Sequence, residues 1–200
     1  MEDVTPIITR PATQPYRIVY ETGDHCFGIR LRPEHGAALW QNNLDNAPDS
    51  GLRGPEALDR LPSLAVHRGS DPMLDDLARI VHAQTWPEVD PRLTRAIVIL
   101  HASGGRLRFE ALAKFVACTA RHLNRLFRRN VGLTAKNYAQ LIQFHRTLKL
   151  ITNGDVPIVS AAFEGGYSDH AHMARNFRRF GGFTPSGIPT ELSLPGIPSK

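Results

Sequence analysis

The stretch "AHMARNFRRFGGFT" (171–184) repeats a phrase found fifty positions earlier, "RHLNRLFRRNVGLT" (121–134). Seven of the fourteen positions are identical, and they include three arginines, a phenylalanine and a glycine. On a helical wheel at about 100° per residue, the apolar residues of each copy share one face and the arginines share the opposite face. The second half of the chain therefore contains a duplicated amphipathic helix with a basic outer face.

Each copy follows a short helical segment with a small residue, Ala113 or Ala162, six positions before a residue able to cap a helix, Thr119 or Ser168. Asp169 is an equally suitable cap for the second copy. A short helix, a tight turn and a capped basic helix make a helix-turn-helix, whose second helix enters a major groove of DNA. The alternative is a pair of amphipathic helices whose arginines are merely solvated, and the in-register duplication disfavours it.

The segment between the copies predicts one long helix. Thr134 is a suitable N-cap, apolar residues recur at helical spacing from 138 to 151, and Asn153-Gly154 ends the pattern. Eighteen helical residues span about 27 Å, and successive major grooves on one side of B-DNA lie about 34 Å apart. The linker can therefore hold two helices for adjacent grooves, which explains why the phrase occurs twice.

The charge of the chain is unevenly distributed. Residues 1–103 hold 10 Lys and Arg against 14 Asp and Glu, a net charge of −4, whereas residues 104–200 hold 14 against 5, a net charge of +9. A basic second half favours a polyanionic partner, with double-stranded DNA the leading candidate. A generically basic surface is the alternative.

The first half has weaker signals. It contains two strand-like stretches (16–21 and 25–32), a short helix begun by Pro33 (33–40), a loop (41–57), and helical patterns at 71–84 and 91–103. We expect a mainly α fold: a C-terminal all-α domain with two helix-turn-helix units joined by a long linker helix, preceded by a small α+β segment. The expected divisions are an N-terminal region (1–70), a helical linker (71–90), a DNA-binding domain (91–190) and a flexible tail (191–200).

Residues 91–188 resemble the DNA-binding domain of AraC/XylS-type transcriptional regulators. "LAKFVACTARHLNRLFRRNVGLTAKNY" resembles the first unit of that domain, and "VPIVSAAFEGGYSDHAHMARNFRRFGGFTPSGI" resembles the second, which has the more specific signature. The resemblance implies a helix-turn-helix regulator of transcription, acting as an activator in a bacterial cytoplasm, with double-stranded DNA and RNA polymerase as partners. "FGIRLRPEHGAALW" resembles the end of a sensor-like domain, which implies effector binding or homodimer contacts through the N-terminal region.

The resemblance also implies two sets of DNA-contacting residues. The first set would read bases from the outer, N-terminal part of each recognition helix: Arg121, Asn124, Arg125, His170, Ala171 and Arg175. The second set would contact phosphates: Thr119, Arg128, Arg129, Ser168, Arg178 and Arg179. Two departures stand out: Ala171 lies where a longer polar side chain is usual, and "FEGGY" puts two glycines in the second turn, which predicts a looser second unit.

Other chemistries have little support in the sequence. No nucleophile–base pairing, P-loop or nucleotide fingerprint occurs, so neither an enzyme nor a cofactor is expected. His170 and His172 lie about 200° apart on a helix and cannot converge on a metal, and no apolar run is long enough to span a membrane. Cys118 is either an oxidant-sensing thiol or, as we prefer, a small buried residue. Trp40 and Trp86 could line a pocket, although core packing is the better interpretation.

The remaining competitor is a different class of protein, a partner-dependent adaptor whose basic face binds an acidic protein or RNA. Recognition of RNA generally uses exposed aromatic side chains that stack on bases. In both copies of the repeat the aromatic residues lie on the face expected to be buried, which disfavours RNA. An acidic protein partner remains open.

Overall fold

The computed structural model describes residues 5–10, 13–15, 23, 28–40, 44, 51–60, 78–79 and 81–189. These residues are mainly helical, with one small two-stranded sheet, so the predicted fold class is confirmed. The chain divides into two compact units. The first comprises Met1–Pro11, Tyr16–Val89 and Arg128–Gly132, and the second comprises Ala12–Pro15, Asp90–Phe127 and Leu133–Lys200.

The first unit is a small α+β structure. Strand β1 (Ile7–Ile8) pairs antiparallel with strand β2 (Leu52–Arg53), with Ile8 opposite Leu52. A 3-10 turn (Pro33–His35) leads into helix α1 (Gly36–Leu39), and β2 leads into helix α2 (Pro55–Arg60). Six buried residues form its core: Ile8, Ala37, Trp40, Leu44, Leu52 and Ala57.

Two predictions for this unit need correction, and one is confirmed. The helical stretch begun by Pro33 is present. The stretch expected to be a strand, 25–32, is described only from residue 28 onward, and residues 28–32 have no regular structure. The loop expected at 41–57 ends early, since β2 and α2 lie within or across its last residues. Pro55 and Glu56 belong to the stretch predicted as a loop, but they begin a helix, where a missing N–H and a negative charge are both favourable.

Several predictions fall on residues outside the described ranges. They include the strand expected at 16–21, most of the helix expected at 71–84, Cys26 and the tail from residue 190 onward. Residues 78–79 and 81–82 of the expected helix are described, and they are helical.

Six helices follow residue 90 among the described residues, and all lie in the second unit except the last four residues of one of them, 128–131, which are grouped with the first. They are α3 (Pro91–Ala102), α4 (Phe109–Phe115), α5 (Ala120–Val131), α6 (Ala135–Thr152), α7 (Ile158–Glu164) and α8 (His170–Gly181). Asp90 caps α3, since one of its carboxylate oxygens accepts from the backbone N–H of Arg92 at 2.9 Å. The long helix α6 packs against α3, α7 and α8, so it is the axis of the unit.

The apolar faces predicted from helical spacing are buried. Leu123 and Phe127 of α5 are 0% exposed, and Met173 and Phe177 of α8 are 1% and 0% exposed. Around α8 the aromatic rings pack together, with the Phe144 ring centroid 5.0 Å from that of Phe177. Fully burying a side chain of this size stabilises a fold by about 1.5–3 kcal/mol, so these faces fix which side of each helix remains outside.

Among the described residues, no helix combines the length and the apolar character that a membrane crossing requires.

Candidate nucleic-acid interface

The turn between α4 and α5 has the same hydrogen bonding as the turn between α7 and α8, and each pair of helices with its turn is called a helix-turn-helix unit below. In the first, the N–H of Cys118 donates to the carbonyl of Ala113 at 3.0 Å, and in the second the N–H of Tyr167 donates to the carbonyl of Ala162 at 2.8 Å. Ala113 and Ala162 are both nearly fully buried, at 3% and 4% exposed. The equivalence expected between these two small residues is therefore confirmed, and it places α4 with α7 and α5 with α8.

The caps of α5 and α8 occupy equivalent positions of the repeat, but they lie six residues after Ala113 and seven residues after Ala162. Thr119 caps α5, its hydroxyl accepting from the N–H of His122 at 3.2 Å. The cap of α8 is Asp169, whose carboxylate accepts from the N–H of His172 at 2.6 Å, and not Ser168. Ser168 is an additional residue in the second turn, and its hydroxyl donates to the other carboxylate oxygen of Asp169 at 2.9 Å.

The cap bond has an electrostatic consequence. The backbone N–H of His172, followed by the Ser168 hydroxyl, holds the pKa of Asp169 below its ordinary value, because both donors stabilise the charged form. Asp169 is therefore ionised over the physiological pH range, and its negative charge lies at the positive end of the α8 dipole.

The two glycines of the second turn are required by its geometry. A Cβ on Gly165 would meet the Thr147 hydroxyl and the carbonyl of Ala161, and Gly166 has a left-handed backbone with φ of 76°. The side-chain amide of Gln143, on α6, donates to the carbonyl of Gly165 at 3.0 Å. Sequence alone indicated only the flexibility of glycine here, whereas the structure shows how closely the turn approaches α6.

The first basic face lies on the outer side of α5. Arg121, Arg125, Arg128 and Arg129 are all exposed, opposite the buried Leu123 and Phe127. The guanidinium of Arg125 donates from Nη2 to Nδ1 of His122 at 2.9 Å. Because arginine only donates, this contact requires His122 Nδ1 to be unprotonated, and it restrains Arg125 within the face.

The second basic face lies on the outer side of α8. His170, Ala171, Arg175, Arg178 and Arg179 are exposed, opposite Met173, Phe177 and Phe180, which are 7% exposed or less. Thr119 and Ser168, the two turn residues expected at phosphates, are also exposed. The predicted residues therefore lie on two separate faces, one on α5 and its turn and the other on α8 and its turn.

Two of the predicted DNA-contacting residues already have partners on the linker helix. Asn124 Oδ1, on α5, accepts from the backbone N–H of Ala135 at 3.3 Å. Arg179, on α8, donates to Asn137 Oδ1 at 3.2 Å and to Gln140 Oε1 at 3.3 Å. Asn137 and Gln140 were not singled out from the sequence, because the linker occurs once and the repeat gives no signal there.

The second helix-turn-helix exposes a pair of apolar side chains that has no counterpart in the first. Val159 and Phe163 on α7 are 76% and 82% exposed. With Ala113 equivalent to Ala162, the corresponding positions of α4 are Glu110 and Lys114, which are exposed and oppositely charged. A helical wheel of residues 158–164 would have revealed this pair, which the repeat of 121–134 does not cover.

Other candidate sites are weak. Burial raises the pKa of the Cys118 thiol, and a raised pKa lowers the thiolate fraction needed for oxidant sensing. Trp40 is a core residue, 4% exposed, and Trp86 donates to the carbonyl of Val81 at 3.3 Å. Among the described residues, no three His, Cys, Asp or Glu side chains are grouped so that they could hold a metal ion.

Two short-helix, turn and capped-helix units joined by one long helix define a double helix-turn-helix. Residues 112–188 match a family model described as "Helix-turn-helix domain". Over these residues the chain is similar to helix-turn-helix domains of the AraC type.

Curated relatives carry regulator names. Over 80 residues the chain is 30% identical to the HTH-type transcriptional activator RhaS of Escherichia fergusonii, covering 40% of this chain and 29% of that protein. It is 26% identical over 95 residues to the Msm operon regulatory protein of Streptococcus mutans, covering 47% and 34%. The chain thus spans about a third of the length of these relatives.

Two solved structures also align with about half of the chain. One is a transcriptional regulator from Chromobacterium violaceum, described among AraC-type DNA-binding domain-containing proteins. It has 26% identity and a TM-score of 0.45, and the alignment covers 48% of this chain and 87% of that one. The other is the C-terminal domain of AraT, a response regulator from Geobacillus stearothermophilus, with 20% identity, a TM-score of 0.47, and coverage of 50% and 84%.

Proposed function

We propose that this chain is a transcriptional regulator that binds double-stranded DNA with sequence preference, placing α5 and α8 in successive major grooves. The observation that carries the proposal is the pair of exposed arginine faces on equivalent helices of two helix-turn-helix units. A face of this kind, opposite a buried apolar face, is the arrangement in which a helix lies in a groove with its outer side chains at base edges.

The linker helix supports simultaneous binding of both units. Helix α6 runs from Ala135 to Thr152 without a break, so it spans about 27 Å. It packs against α7 and α8, and its N-terminal residue is bonded to α5 through Asn124. A spacer of this length is of the same order as the groove-to-groove distance of about 34 Å.

In this proposal the two predicted residue sets have different roles. The set predicted to read base edges is Arg121, Asn124, Arg125, His170, Ala171 and Arg175, with arginine bidentate to guanine as the strongest single contact. Asn124 belongs to this set, although its Oδ1 already accepts a hydrogen bond from α6. Phosphates are contacted by Thr119, Arg128, Arg129, Ser168 and Arg178, which position the helices without reading sequence. Arg179 belongs to the same predicted set, although its guanidinium already donates two hydrogen bonds to α6.

Regulation would need further partners. The names of the curated relatives include an activator and an operon regulatory protein, and activation of transcription implies contact with RNA polymerase. The N-terminal region would supply effector or homodimer contacts.

The proposal is tested with the full chain by fluorescence anisotropy on duplex DNA, single-stranded DNA and RNA of one sequence. We expect preference for the duplex, with affinity falling linearly on a log–log plot against salt concentration. Charge reversal by Arg125→Glu should abolish binding, whereas the matched control Arg53→Glu, exposed on β2 outside the helix-turn-helix region, should bind like the wild type. Equal affinity of both variants, or tight binding to an acidic protein without duplex binding, would favour the adaptor.

A further inference from the structure

We infer that Arg179 and Asn124 are positioning residues, which set the orientation of the two recognition helices by tying each of them to the first two turns of the linker helix. The attachment itself is independent of DNA, whereas its effect on binding rests on the proposed function.

The N-terminal end of α6 is where both attachments meet. Thr134 caps the helix, its hydroxyl accepting from the N–H of Asn137 at 3.1 Å. Asn124 Oδ1 accepts from the N–H of Ala135, another of the donors that a helix leaves unsatisfied at its start. The side chain of Asn124 therefore extends the cap of α6 from α5, which couples the direction of one helix to that of the other.

The attachment of α8 uses both arms of one guanidinium. Nη1 of Arg179 donates to Gln140 and Nη2 donates to Asn137, and these acceptors lie three residues apart on one face of α6. The guanidinium also lies over the Phe180 ring, 5.0 Å from its centroid, which restrains it further by a cation–π contact. A planar fork bonded at two points restrains an angle as well as a distance.

The repeat shows that these roles are not shared by equivalent residues. Arg129 occupies the position of Arg179 in the first unit, and it is exposed with no hydrogen bond or ion pair to any other residue in the described ranges. Ala174 occupies the position of Asn124 in the second unit, and its methyl group has no acceptor. Each unit is therefore attached to α6 by a different residue, and Arg129 is free for phosphate while Arg179 is not.

Orientation matters because base reading tolerates little error. A recognition constellation has to be held within roughly 0.5 Å and 10–20° of its productive geometry. Loss of either attachment should therefore broaden the distribution of distances between α5 and α8 and relax the spacing that the two half-sites must have.

The first experiment needs no DNA. In the full chain, Cys26 and Cys118 are replaced by Ser, and spin labels are attached after Arg121→Cys and Ala171→Cys, both exposed near the starts of α5 and α8. Electron–electron resonance then gives the distance distribution between the labels. We expect Arg179→Ala and Asn124→Ala to broaden it, and the matched control Arg129→Ala to leave it unchanged. If either variant keeps the wild-type distribution, the role assigned to that residue is wrong.

The second experiment separates positioning from phosphate contact. Affinity is measured on a duplex with the wild-type spacing and on one with two base pairs inserted between the half-sites. The insertion should lower the affinity of the wild-type protein by about tenfold or more, comparable to the effect of a mismatched base pair. The insertion should lower the affinity of Arg179→Ala by a smaller factor, and the slope of log affinity against log salt concentration should stay that of the wild type. Arg129→Ala should keep the wild-type preference for spacing and lower that slope by about 0.9.

Arg179→Lys retains the charge but cannot reproduce the planar two-point bond, so it should broaden the label distances and keep the salt slope. If it behaved like the wild type while Arg179→Ala lowered the slope, Arg179 would be a phosphate ligand and the inference would be overturned. Failure of the wild type to bind DNA would count against the proposed function, while the spin-label distances would still decide the attachment.

Discussion

Ala117 and Gly166 occupy the same position in the turns of the two units, and both have a left-handed backbone, with φ of 52° and 76°. A left-handed conformation costs about 1–2 kcal/mol for a residue with a Cβ, and nothing comparable for glycine. Ala117 is the one non-glycine residue with positive φ in the described part of the chain. The turn of the first helix-turn-helix therefore contains backbone strain that the turn of the second helix-turn-helix avoids.

Exchanging these residue types should move stability in opposite directions. Ala117→Gly should stabilise the fold by up to about 1 kcal/mol, because the relief of strain exceeds the greater entropy of glycine in the unfolded chain. Gly166→Ala should destabilise it by about 1–2 kcal/mol, since its Cβ would also meet the Arg106 side chain. Urea unfolding of both variants measures the difference, and a lower midpoint for Ala117→Gly would show that residue 117 is not left-handed in solution.

The cap of α8 should make stability depend on pH. The pKa of Asp169 is lowered in the folded chain, so its contribution is complete above the pKa of the unfolded chain and is lost as the pH falls through the lowered value. Asp169→Asn keeps a cap oxygen but removes the charge. The wild type should therefore be the more stable at about pH 7, and the difference should shrink as the pH is lowered towards about 2, through the pKa of the unfolded chain and then the lowered pKa of the folded chain.

The control for this experiment is Thr119→Asn, at the equivalent cap of α5, where neither side chain titrates. Its effect on the urea midpoint should be the same at both pH values. A wild-type advantage over Asp169→Asn that persisted unchanged in acid would contradict the assigned cause of the lowered pKa.

The helices from residue 91 onward were predictable because each has an apolar stripe and a terminating glycine or turn, and α3, α5, α6 and α8 also have a side-chain cap. The linker was expected from Ala135 to Thr152 and is found with those bounds. The strand β2 and the helix α2 were not predictable from the same rules, because a two-residue strand has no periodicity and a proline such as Pro55 is found both in turns and at helix starts.

The site was predictable as two faces but not in its internal contacts. The wheel placed Arg125 and Arg175 outside and Phe127 and Phe177 inside, since burial follows the helical period. It could not distinguish Arg129 from Arg179, because both follow the same Phe-Arg pair, and the partners of Arg179 on α6 are not visible in the repeat.

Readout and anchoring should be separable by mutation. Arg125→Ala should cost about 1–3 kcal/mol on a matched duplex and relax preference at one or two base pairs, because arginine fits the paired acceptors of guanine. Arg129→Ala should weaken matched and scrambled duplexes alike, because phosphate contacts carry no sequence information. Binding isotherms on both duplexes at several salt concentrations measure this, and equal losses on both for Arg125→Ala would refute its role as a reader.

The two units should not contribute equally to specificity. Ala171 leaves the start of α8 with less polar reach than Arg121 gives the start of α5. We therefore expect Arg125→Ala to reduce the ratio of matched to scrambled affinity more than Arg175→Ala does. The same isotherms give both ratios, and a larger reduction for Arg175→Ala would show that the second unit is the main reader.

The most direct test of two helices in successive major grooves is selection of bound duplexes from a random pool by the full chain. Half-sites read by helices on one face of B-DNA are separated by about 10–10.5 base pairs, centre to centre. The selected duplexes should therefore contain two enriched blocks at that separation, and Arg125→Ala should relax one or two base pairs of one block while leaving the other block unchanged. A single enriched block, or two blocks whose separation varies freely, would contradict the account.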